Sequence, residues 1–346
     1  METLLPHRIA WIDTAKGIGL LFVILGHLHI PYLSTWIYSF HMPLFFFLSG
    51  VVFSGKKYDF NQFLKKRIKS LIIPYFCLGS VICIWYCIIN LIQGQPYQVY
   101  LEMVKNFLVQ KHYWTIWFLA ALFFTEILYY WIYRLTSQKS YLTTIFSTFI
   151  LFLGLLLAKY LNGRGIPWNI DIALIAQFFF HIGHFLYRGG GQNDKHHILH
   201  YIIFDNMKYQ SFSVIFWLMI NVILAKLCIV LSGESLDMSI GMYGNALCSM
   251  ISALSGTFAI IGIANILKFL KPLIWLGQNT MVIFAWHSRI IIEALGILFS
   301  NLNIFQESTL ISQYCQAFVS FIVILMCLIP LTLAIKKTKI HSLFGV

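Results

Sequence analysis

The sequence predicts an all-α polytopic membrane protein, a bundle of about ten transmembrane helices with both termini in the cytoplasm. Hydrophobic residues make up 59% of its 346 residues and charged residues only 10%, whereas soluble domains are about a quarter charged. Apolar stretches of the length that crosses a bilayer repeat along nearly the whole chain, with no interval the size of a soluble domain between them. We therefore expect a single integral-membrane domain over residues 1–346.

The apolar stretches and the basic residues together predict the topology. We place the spans at 12–31, 36–54, 70–92, 113–134, 141–160, 167–187, 211–231, 241–266, 273–299 and 310–335. Lys and Arg concentrate in the loops on the side of the termini, and only Lys105, Lys111, Lys159 and Arg164 fall on the opposite side. By the positive-inside rule, this asymmetry predicts cytoplasmic termini.

The first two spans carry ionisable residues, which are costly in hydrocarbon and usually face a bundle interior or a wet cavity. Lys16 and His27 are eleven residues apart, so they fall within about 20° of each other on a helix and about 16 Å apart along it. Asp13 lies three residues before Lys16, at a spacing that allows pairing, and His29 points the other way. A core histidine bonded to a backbone carbonyl is the conservative interpretation of His27. The aligned lysine, with His41 in the second span, favours a functional site.

Depth suggests that a third histidine belongs to the same region. His27 is fourteen residues from Asp13 at the inner end of its span, and His287 is fourteen from Leu273, so both lie about 21 Å in. His41 enters the second span from outside and reaches a similar depth. The three rings can be neighbours only if the first, second and ninth spans pack together, which is a hypothesis at this stage.

A basic cluster precedes the third span at Lys65, Lys66, Arg67 and Lys69. The positive-inside rule and attraction to anionic lipid explain such a cluster. The same side chains can also hold the phosphates of a soluble anionic donor, and the sequence leaves both interpretations open. Pro74, just beyond the cluster, is expected to bend the helix.

Further polar and aromatic residues lie in the fourth and sixth spans. A carboxyl as deep as that of Glu126 needs a partner or a proton. His112, Tyr113, Trp114 and Trp117 fit the aromatic belt of a membrane interface, although such rings also stack on sugars. His181 and His184 share a helix face and are candidates to line the inner half of a cavity.

No metal or disulfide site is expected. The seven cysteines lie in apolar runs without a Cys-x-x-Cys pair, and the chain has no HExxH motif. The cysteines are therefore interpreted as small core residues.

Several segments in family order carry a resemblance to a known family. They are IDTAKGIGLLFVILGH (12–27), WIYSFHMPLFFFLSG (36–50), FLKKRIKSLIIPYF (63–76), WFLAALF (117–123), IPWNIDIALIAQFFFHIG (166–183) and LIWLGQNTMVIFAWH (273–287). On these segments the chain resembles the membrane acyltransferase-3 family, specifically its fucose 4-O-acetylase-like branch. The first three segments are fairly specific together.

The resemblance implies an O-acyltransferase of about ten helices in the cytoplasmic membrane of a bacterium. It would move an acetyl group from cytoplasmic acetyl-CoA, its acyl donor and co-substrate, to a sugar hydroxyl of a glycan or its lipid-linked precursor. Its partners would be that acceptor and membrane lipid, with no nucleic acid. The family's basic residue and histidine, eleven apart on the first helix, match Lys16 and His27. The family more often has arginine there, and lysine lacks arginine's bidentate fork. Two family arginines three apart are matched approximately by Lys66 and Lys69.

Acyl transfer to an alcohol needs a base for the hydroxyl proton and a donor for the oxyanion. We assign His27 as the base, with Asp13 and Lys16 as paired charges that order the inner end of the site and are also candidates to meet the CoA phosphates. The remaining assignments are donor binding by Lys65, Lys66, Arg67 and Lys69, acceptor or oxyanion binding by His41 and His287, and substrate lining by Trp117, Glu126 and Asn279. Direct transfer is favoured because the chain has no GxSxG nucleophile elbow.

A proton-coupled transporter or exporter is the alternative. Its relay would use Asp13, Glu126, His27, His181 and His184. Against it, the sequence shows neither an internal repeat nor paired broken helices in matching halves, which many transporters have.

Overall fold

The computed structural model describes residues 9–111, 114–188, 207–305 and 309–345, and this part of the chain is built from helices. They are α1 (Ala10–His27), α2 (Leu33–Tyr38), α3 (His41–Val51), α4 (Phe60–Arg67), α5 (Ile73–Ile92), α6 (Tyr97–Val109), α7 (Trp117–Leu135), α8 (Ser140–Leu161), α9 (Ile170–Arg188), α10 (Met207–Ser232), α11 (Ala246–Ile266), α12 (Lys271–Gln278), α13 (Thr280–Trp286), α14 (Glu293–Asn301) and α15 (Leu310–Lys336). Two π-helical segments interrupt the set, π1 (Ile68–Ile72) and π2 (His287–Ile292). The protein is thus a helical, multi-pass membrane protein.

Within the described residues, nine helices are long and apolar enough to cross a membrane. The second predicted span, 36–54, is not among them because the chain divides there into α2 and α3, with Phe40 (φ −143°, ψ −20°) between them. The first span is also shorter than predicted, because α1 ends at His27 rather than continuing to residue 31. Both differences fall on one side of the bundle, where the chain turns between α1 and α3.

Helix α3 is apolar on all sides and almost entirely buried, as expected of a helix surrounded by other helices. It crosses α9 at two glycines. A Cβ atom on Gly50 would lie 1.9 Å from the carbonyl oxygen of Phe180, and one on Gly183 would lie 2.1 Å from that of Phe47. Small residues allow membrane helices to approach this closely, so the two glycines fix α3 in the centre of the bundle.

A second glycine crossing joins α1 to α12. A Cβ atom on Gly17 would lie 2.2 Å from the carbonyl oxygen of Leu273, and one on Gly277 would lie 1.7 Å from that of Asp13. The backbones of the two helices are therefore in contact. This crossing sets the position of α1, which carries Asp13, Lys16 and His27.

The third and ninth spans are both irregular. The sequence predicts a disturbance at Pro74, but α5 runs through that residue and the irregularity is π1, immediately before α5. Proline lacks an N–H for the helical ladder, so the adjustment occurs in the preceding turn. The ninth span breaks at Asn279 (φ −127°, ψ 37°), between α12 and α13, and then passes through π2. Single π turns are frequent at functional sites.

The aromatic-belt interpretation is wrong for Trp114 and Trp117, and His112 and Tyr113 lie outside the described residues. The exposed fractions of the two tryptophans are 7% and 5%, and the Trp114 ring stacks on Tyr86 with centroids 5.6 Å apart. Both indoles belong to the core between α5, α7 and α13. Sequence position near a span end does not distinguish a ring that faces lipid from one that faces a neighbouring helix.

We expect Gly277→Ala to destabilise the protein, because the added methyl group would overlap the Asp13 carbonyl and separate α1 from α12. Overpacking of this kind costs about 1–3 kcal/mol. Gly296→Ala is the matched control, because a Cβ atom there would meet nothing within 4 Å. The apparent unfolding temperature in detergent should fall for Gly277→Ala only, and equal shifts for the two variants would contradict the crossing.

Candidate functional site

Three histidines come together at the end of the bundle where α1 ends. We call this the outer end, after the predicted topology. His27 is the last residue of α1, His41 is the first of α3 and His287 is the first of π2. The rings of His27 and His287 meet edge to face, with centroids 4.8 Å apart. The ring of Tyr38 lies near both His27 and His41, with centroid distances of 6.0 Å and 5.0 Å. The hypothesis that the first, second and ninth spans pack together is confirmed.

Each of the three rings is anchored in the same way. Nδ1 lies within hydrogen-bond distance of the carbonyl oxygen four residues earlier, at 2.8 Å for His27, 2.9 Å for His41 and 3.1 Å for His287, which also has a 2.9 Å contact three residues earlier. A carbonyl oxygen can only accept, so Nδ1 carries the hydrogen and Nε2 of the neutral ring keeps a lone pair. The conservative interpretation of His27, a bond to a backbone carbonyl, is thus met without occupying Nε2.

The Nε2 atom of His287 is buried and has no hydrogen-bond partner in the described part of the chain. Buried polar atoms usually have partners. The neighbouring His27 ring offers a lone pair rather than a donor while both rings are neutral. The arrangement is therefore suited to a ligand that brings O–H groups, or to a proton shared between the two rings.

A cavity of about 20 Å³ lies beside these rings, and we call it the histidine cavity. Its lining includes His27, Tyr38, His41, Trp117 and Asp237. A volume of this size holds one water molecule or one hydroxyl group. Two imidazoles and one carboxylate among the lining residues make the space polar although it lies among apolar helices. The cavity can accommodate a single reacting hydroxyl.

Asp237 and Tyr38 were not selected from the sequence. Asp237 precedes a short 3₁₀ turn and its Oδ1 accepts hydrogen bonds from the Ser239 amide at 2.8 Å and the Ser239 hydroxyl at 2.6 Å. An antiparallel bridge to Met242 holds the same residue from its backbone. The sequence places Asp237 in an outer loop far from His27. The only advance signal for Tyr38 is its spacing three residues before His41.

The charged residues at the inner end of α1 lie apart from the histidine cavity. Asp13 accepts a hydrogen bond of 2.9 Å from Gln278 at the end of α12, and Lys16 is half-buried. Lys16 and Lys66 are both within electrostatic range of Glu126. Along α1, Lys16 and His27 are about 16 Å apart. The helix face that they share therefore connects two separate regions, and the two residues do not form one site.

Glu126 forms an ion pair with Arg67, and their side chains are 4% and 18% exposed. The expectation that so deep a carboxyl needs a partner is confirmed. The pair joins the middle of α7 to the last turn of α4, just before π1. Glu126 therefore supports the basic cluster and is not part of the histidine cavity, where Trp117 from the same helix lies.

The pairing divides the basic cluster. Arg67 turns inward, whereas Lys65, Lys66 and Lys69 are exposed. Lys66 Nζ donates to the Tyr58 hydroxyl at 3.3 Å. Because this bond and the ammonium charge favour the phenolate, the pKa of Tyr58 is lowered from its ordinary value. Three lysines at the membrane rim remain accessible to an anion.

The other candidates lie elsewhere. Asn279 is buried at the break between α12 and α13, where its Nδ2 donates to the Trp275 carbonyl at 2.6 Å, next to the Gln278–Asp13 contact. His181 and His184 bond through Nδ1 to the Tyr129 hydroxyl, at 3.1 and 2.8 Å. These two histidines thus belong to a network between α7 and α9, not to the histidine cavity.

Comparison with known proteins gives one match. A family model described as an acyltransferase domain, that of the acyltransferase-3 family, matches residues 9–335, which is nearly the whole chain and includes α1, α3 and π2. No curated protein and no solved structure matches the chain.

We expect the Arg67–Glu126 pair to behave as a buried ion pair. Removing one partner of a buried pair costs about 3–5 kcal/mol because the other charge is left uncompensated. In a double-mutant cycle of Arg67→Gln and Glu126→Gln, the double variant should therefore be much more stable than the sum of the singles implies. Unfolding free energy from SDS titration in mixed micelles measures this coupling.

The control cycle uses Arg289→Gln and Glu293→Gln. That pair is 2.9 Å long with side chains 43% and 32% exposed, so its coupling should stay below about 1 kcal/mol. Equal coupling in the two cycles would contradict the structural role given to Glu126.

Proposed function

Because the chain belongs to the acyltransferase-3 family of membrane proteins, we propose that it is an O-acyltransferase that moves an acetyl group from cytoplasmic acetyl-CoA to a sugar hydroxyl. The acceptor is a glycan or its lipid-linked precursor, as in the fucose 4-O-acetylase-like branch. The observation that carries the proposal is the histidine cavity, in which His27 is held with Nε2 as its basic atom.

His27 acts as the general base. Its Nε2 takes the proton of the acceptor hydroxyl while the hydroxyl oxygen attacks the thioester carbonyl. The tetrahedral intermediate then collapses, the carbon–sulfur bond breaks, and the imidazolium returns the proton to the thiolate of CoA. The Nδ1–carbonyl bond keeps the ring oriented through both proton transfers.

His41 lines the histidine cavity beside His27, and His287 contacts the His27 ring without lining the cavity. A proton held on the Nε2 of either ring makes that ring a donor to the oxyanion. His41 is placed to meet the substrate because it lines the cavity, whereas His287 touches His27 and has a buried Nε2 with no hydrogen-bond partner among the described residues. Asp237, from the loop after α10, also lines the cavity, and its carboxylate favours the transient positive charge of His27.

Two hydroxyl groups near the cavity are already engaged, which supports direct transfer rather than an acyl-enzyme. Thr115 donates to the Ala285 carbonyl at 2.9 Å, and Ser239 donates to Asp237 at 2.6 Å. A nucleophilic hydroxyl needs an adjacent base aimed at its proton. Thr115 has only a backbone carbonyl as its acceptor, and the base beside Ser239 is the Asp237 carboxylate, which is weaker than an imidazole.

The inner end of the bundle suits the donor. The exposed Lys65, Lys66 and Lys69 offer ammonium groups for the CoA phosphates, while Arg67 is held inward by Glu126. In this proposal the thioester reaches His27 along α1, past Asp13 and Lys16. Donor and acceptor thus approach from opposite ends of the same helix.

We expect His27→Ala to reduce acetyl transfer at least 100-fold, since general-base catalysis contributes about 10²–10⁴-fold. Membranes containing the protein would be incubated with labelled acetyl-CoA and a glycan extract, and incorporation measured. His29→Ala is the matched control, because His29 is exposed and lies beyond the end of α1. The His29→Ala variant should incorporate as much labelled acetyl into the glycan as the unchanged protein.

The same membranes test the proton-coupled transporter. Solute flux without acetylation, or equal incorporation in the two histidine variants, would overturn the proposal.

We expect the triple variant Lys65→Gln, Lys66→Gln, Lys69→Gln to raise the KM for acetyl-CoA about tenfold or more, because each lost ammonium removes a charge-assisted contact to phosphate. The effect should diminish at high salt. A control that removes three exposed lysines elsewhere, Lys139, Lys268 and Lys337, keeps the charge change equal. If both variants raise KM alike, general surface charge rather than a donor site is responsible.

A further inference from the structure

A second, larger cavity opens at the outer end of the bundle, with a volume of about 670 Å³. We call it the outer cleft and define it by Trp36, Ser39, Lys226, Ile229, Leu236 and Ser252. It lies between α2, the last turns of α10, the loop that follows α10, and the first turns of α11. Its volume is within the range of sites that bind small molecules, and the steps proposed above do not use it.

The outer cleft and the histidine cavity share a wall. Trp36 and Ser39 of the α2 segment face the cleft, whereas Tyr38 between them faces the histidine cavity. The loop after α10 repeats this arrangement, with Leu236 on the cleft and Asp237 on the histidine cavity. One thickness of chain therefore separates the two spaces, so a molecule bound in the cleft lies beside the proposed base.

A buried asparagine holds this wall in place. Asn221 of α10 accepts a hydrogen bond from the Trp36 indole at 2.7 Å and donates to the Ser39 hydroxyl at 3.0 Å and the Ser252 carbonyl at 2.9 Å. These bonds tie α2 to α10 and α11. Because a buried amide with satisfied partners specifies its surroundings, the outer cleft is a defined feature of the fold.

The outer cleft is open to the membrane. Helix α10 forms its long wall with Val222 and Ile229, which are 48% and 39% exposed, and only 11% of the most apolar part of α10 is buried in the protein. Exposed apolar side chains on a spanning helix face lipid tails. A molecule that enters along this wall must therefore be soluble in the bilayer.

Among the described residues that line the cleft, only Lys226 is charged. It lies six residues before the end of α10, about 9 Å along the axis, and has no hydrogen-bond or ion-pair partner among the described residues. An ammonium at this depth is costly unless it reaches the interface or an anion. Lysine is a compact charge well suited to phosphate.

We propose that the outer cleft binds a long-chain lipid phosphate that carries the acceptor sugar. Lys226 contacts the phosphate, the chain lies along the apolar face of α10 and continues into the bilayer, and the sugar passes over the α2 segment to the histidine cavity. The proposal rests on the proposed function for the fate of the sugar, and on the cleft alone for the lipid phosphate.

Binding to the purified protein in detergent tests the cleft without any reaction. Native mass spectrometry would compare hexadecyl phosphate, hexadecanol and inorganic phosphate. We expect hexadecyl phosphate to bind about tenfold or more tightly than either of the others, because only it uses both the chain wall and Lys226. Equal binding of the alcohol, or equal binding of inorganic phosphate, would overturn the proposal.

Variants locate the binding. Lys226→Gln should weaken hexadecyl phosphate about tenfold, whereas Lys159→Gln, an exposed lysine in the last turn of α8 on the same predicted side, should leave it unchanged. Ala225→Phe fills the cleft and should weaken both the phosphate and the alcohol. Unchanged binding in Lys226→Gln, or equal loss in Lys159→Gln, would show that the phosphate binds elsewhere.

Acetylation assays separate this proposal from the proposed function. With a lipid-linked sugar phosphate as acceptor, Lys226→Gln should raise its KM about tenfold, with the KM for acetyl-CoA unchanged. If the cleft binds hexadecyl phosphate but no acceptor is acetylated, the proposed function fails and the lipid-phosphate site stands. If acetylation proceeds with the same acceptor KM in Lys226→Gln and the unchanged protein, the lipid-phosphate site fails and the acyltransferase stands.

Discussion

The candidate site depends on one hydrogen bond made three times, from an imidazole Nδ1 to a carbonyl of the same chain three or four residues earlier. The bond fixes the tautomer and the orientation of each ring, and it directs a lone pair away from the backbone. Without this bond, either ring nitrogen of a histidine among apolar helices could form the hydrogen bond, and the tautomer would not be fixed. With it, three basic nitrogens are fixed at one end of the bundle.

Helix irregularity is what gives those bonds their positions. His27 ends α1, His41 begins α3 after the kink at Phe40, and His287 begins π2. Backbone groups inside a membrane must be satisfied by the protein, so breaks of this kind are tolerated only where the surrounding helices enclose them. The glycine crossings at Gly50 and Gly277 hold the helices that carry these breaks, because they bring α9 into backbone contact with α3 and α12 into backbone contact with α1.

Charged side chains are divided between the inner and outer ends of the bundle. At the inner end, Arg67 and Glu126 compensate each other in a buried pair, and neighbouring lysines stay exposed. At the outer end, the histidine cavity holds one carboxylate, from Asp237, and the adjoining cleft holds one ammonium, from Lys226. An anionic donor and an acceptor carried on lipid would meet opposite ends of α1, which suits a reaction between one substrate from water and one from the membrane.

The sequence alone determined that the chain is a multi-pass helical membrane protein, that it resembles the acyltransferase-3 family, and that Lys16 and His27 share a stripe. These features follow from composition and from the 3.6-residue period, which are local properties of a chain. It also predicted that Glu126 needs a partner or a proton, because the cost of a buried carboxylate does not depend on which residue offsets it.

Only the tertiary structure decided that Arg67 is that partner, that Trp114 and Trp117 are buried, that the second span is broken, and that Asp237 and Tyr38 join the histidines. Each of these depends on contacts between residues far apart in the sequence, and periodicity within one helix carries no information about which helix lies beside it.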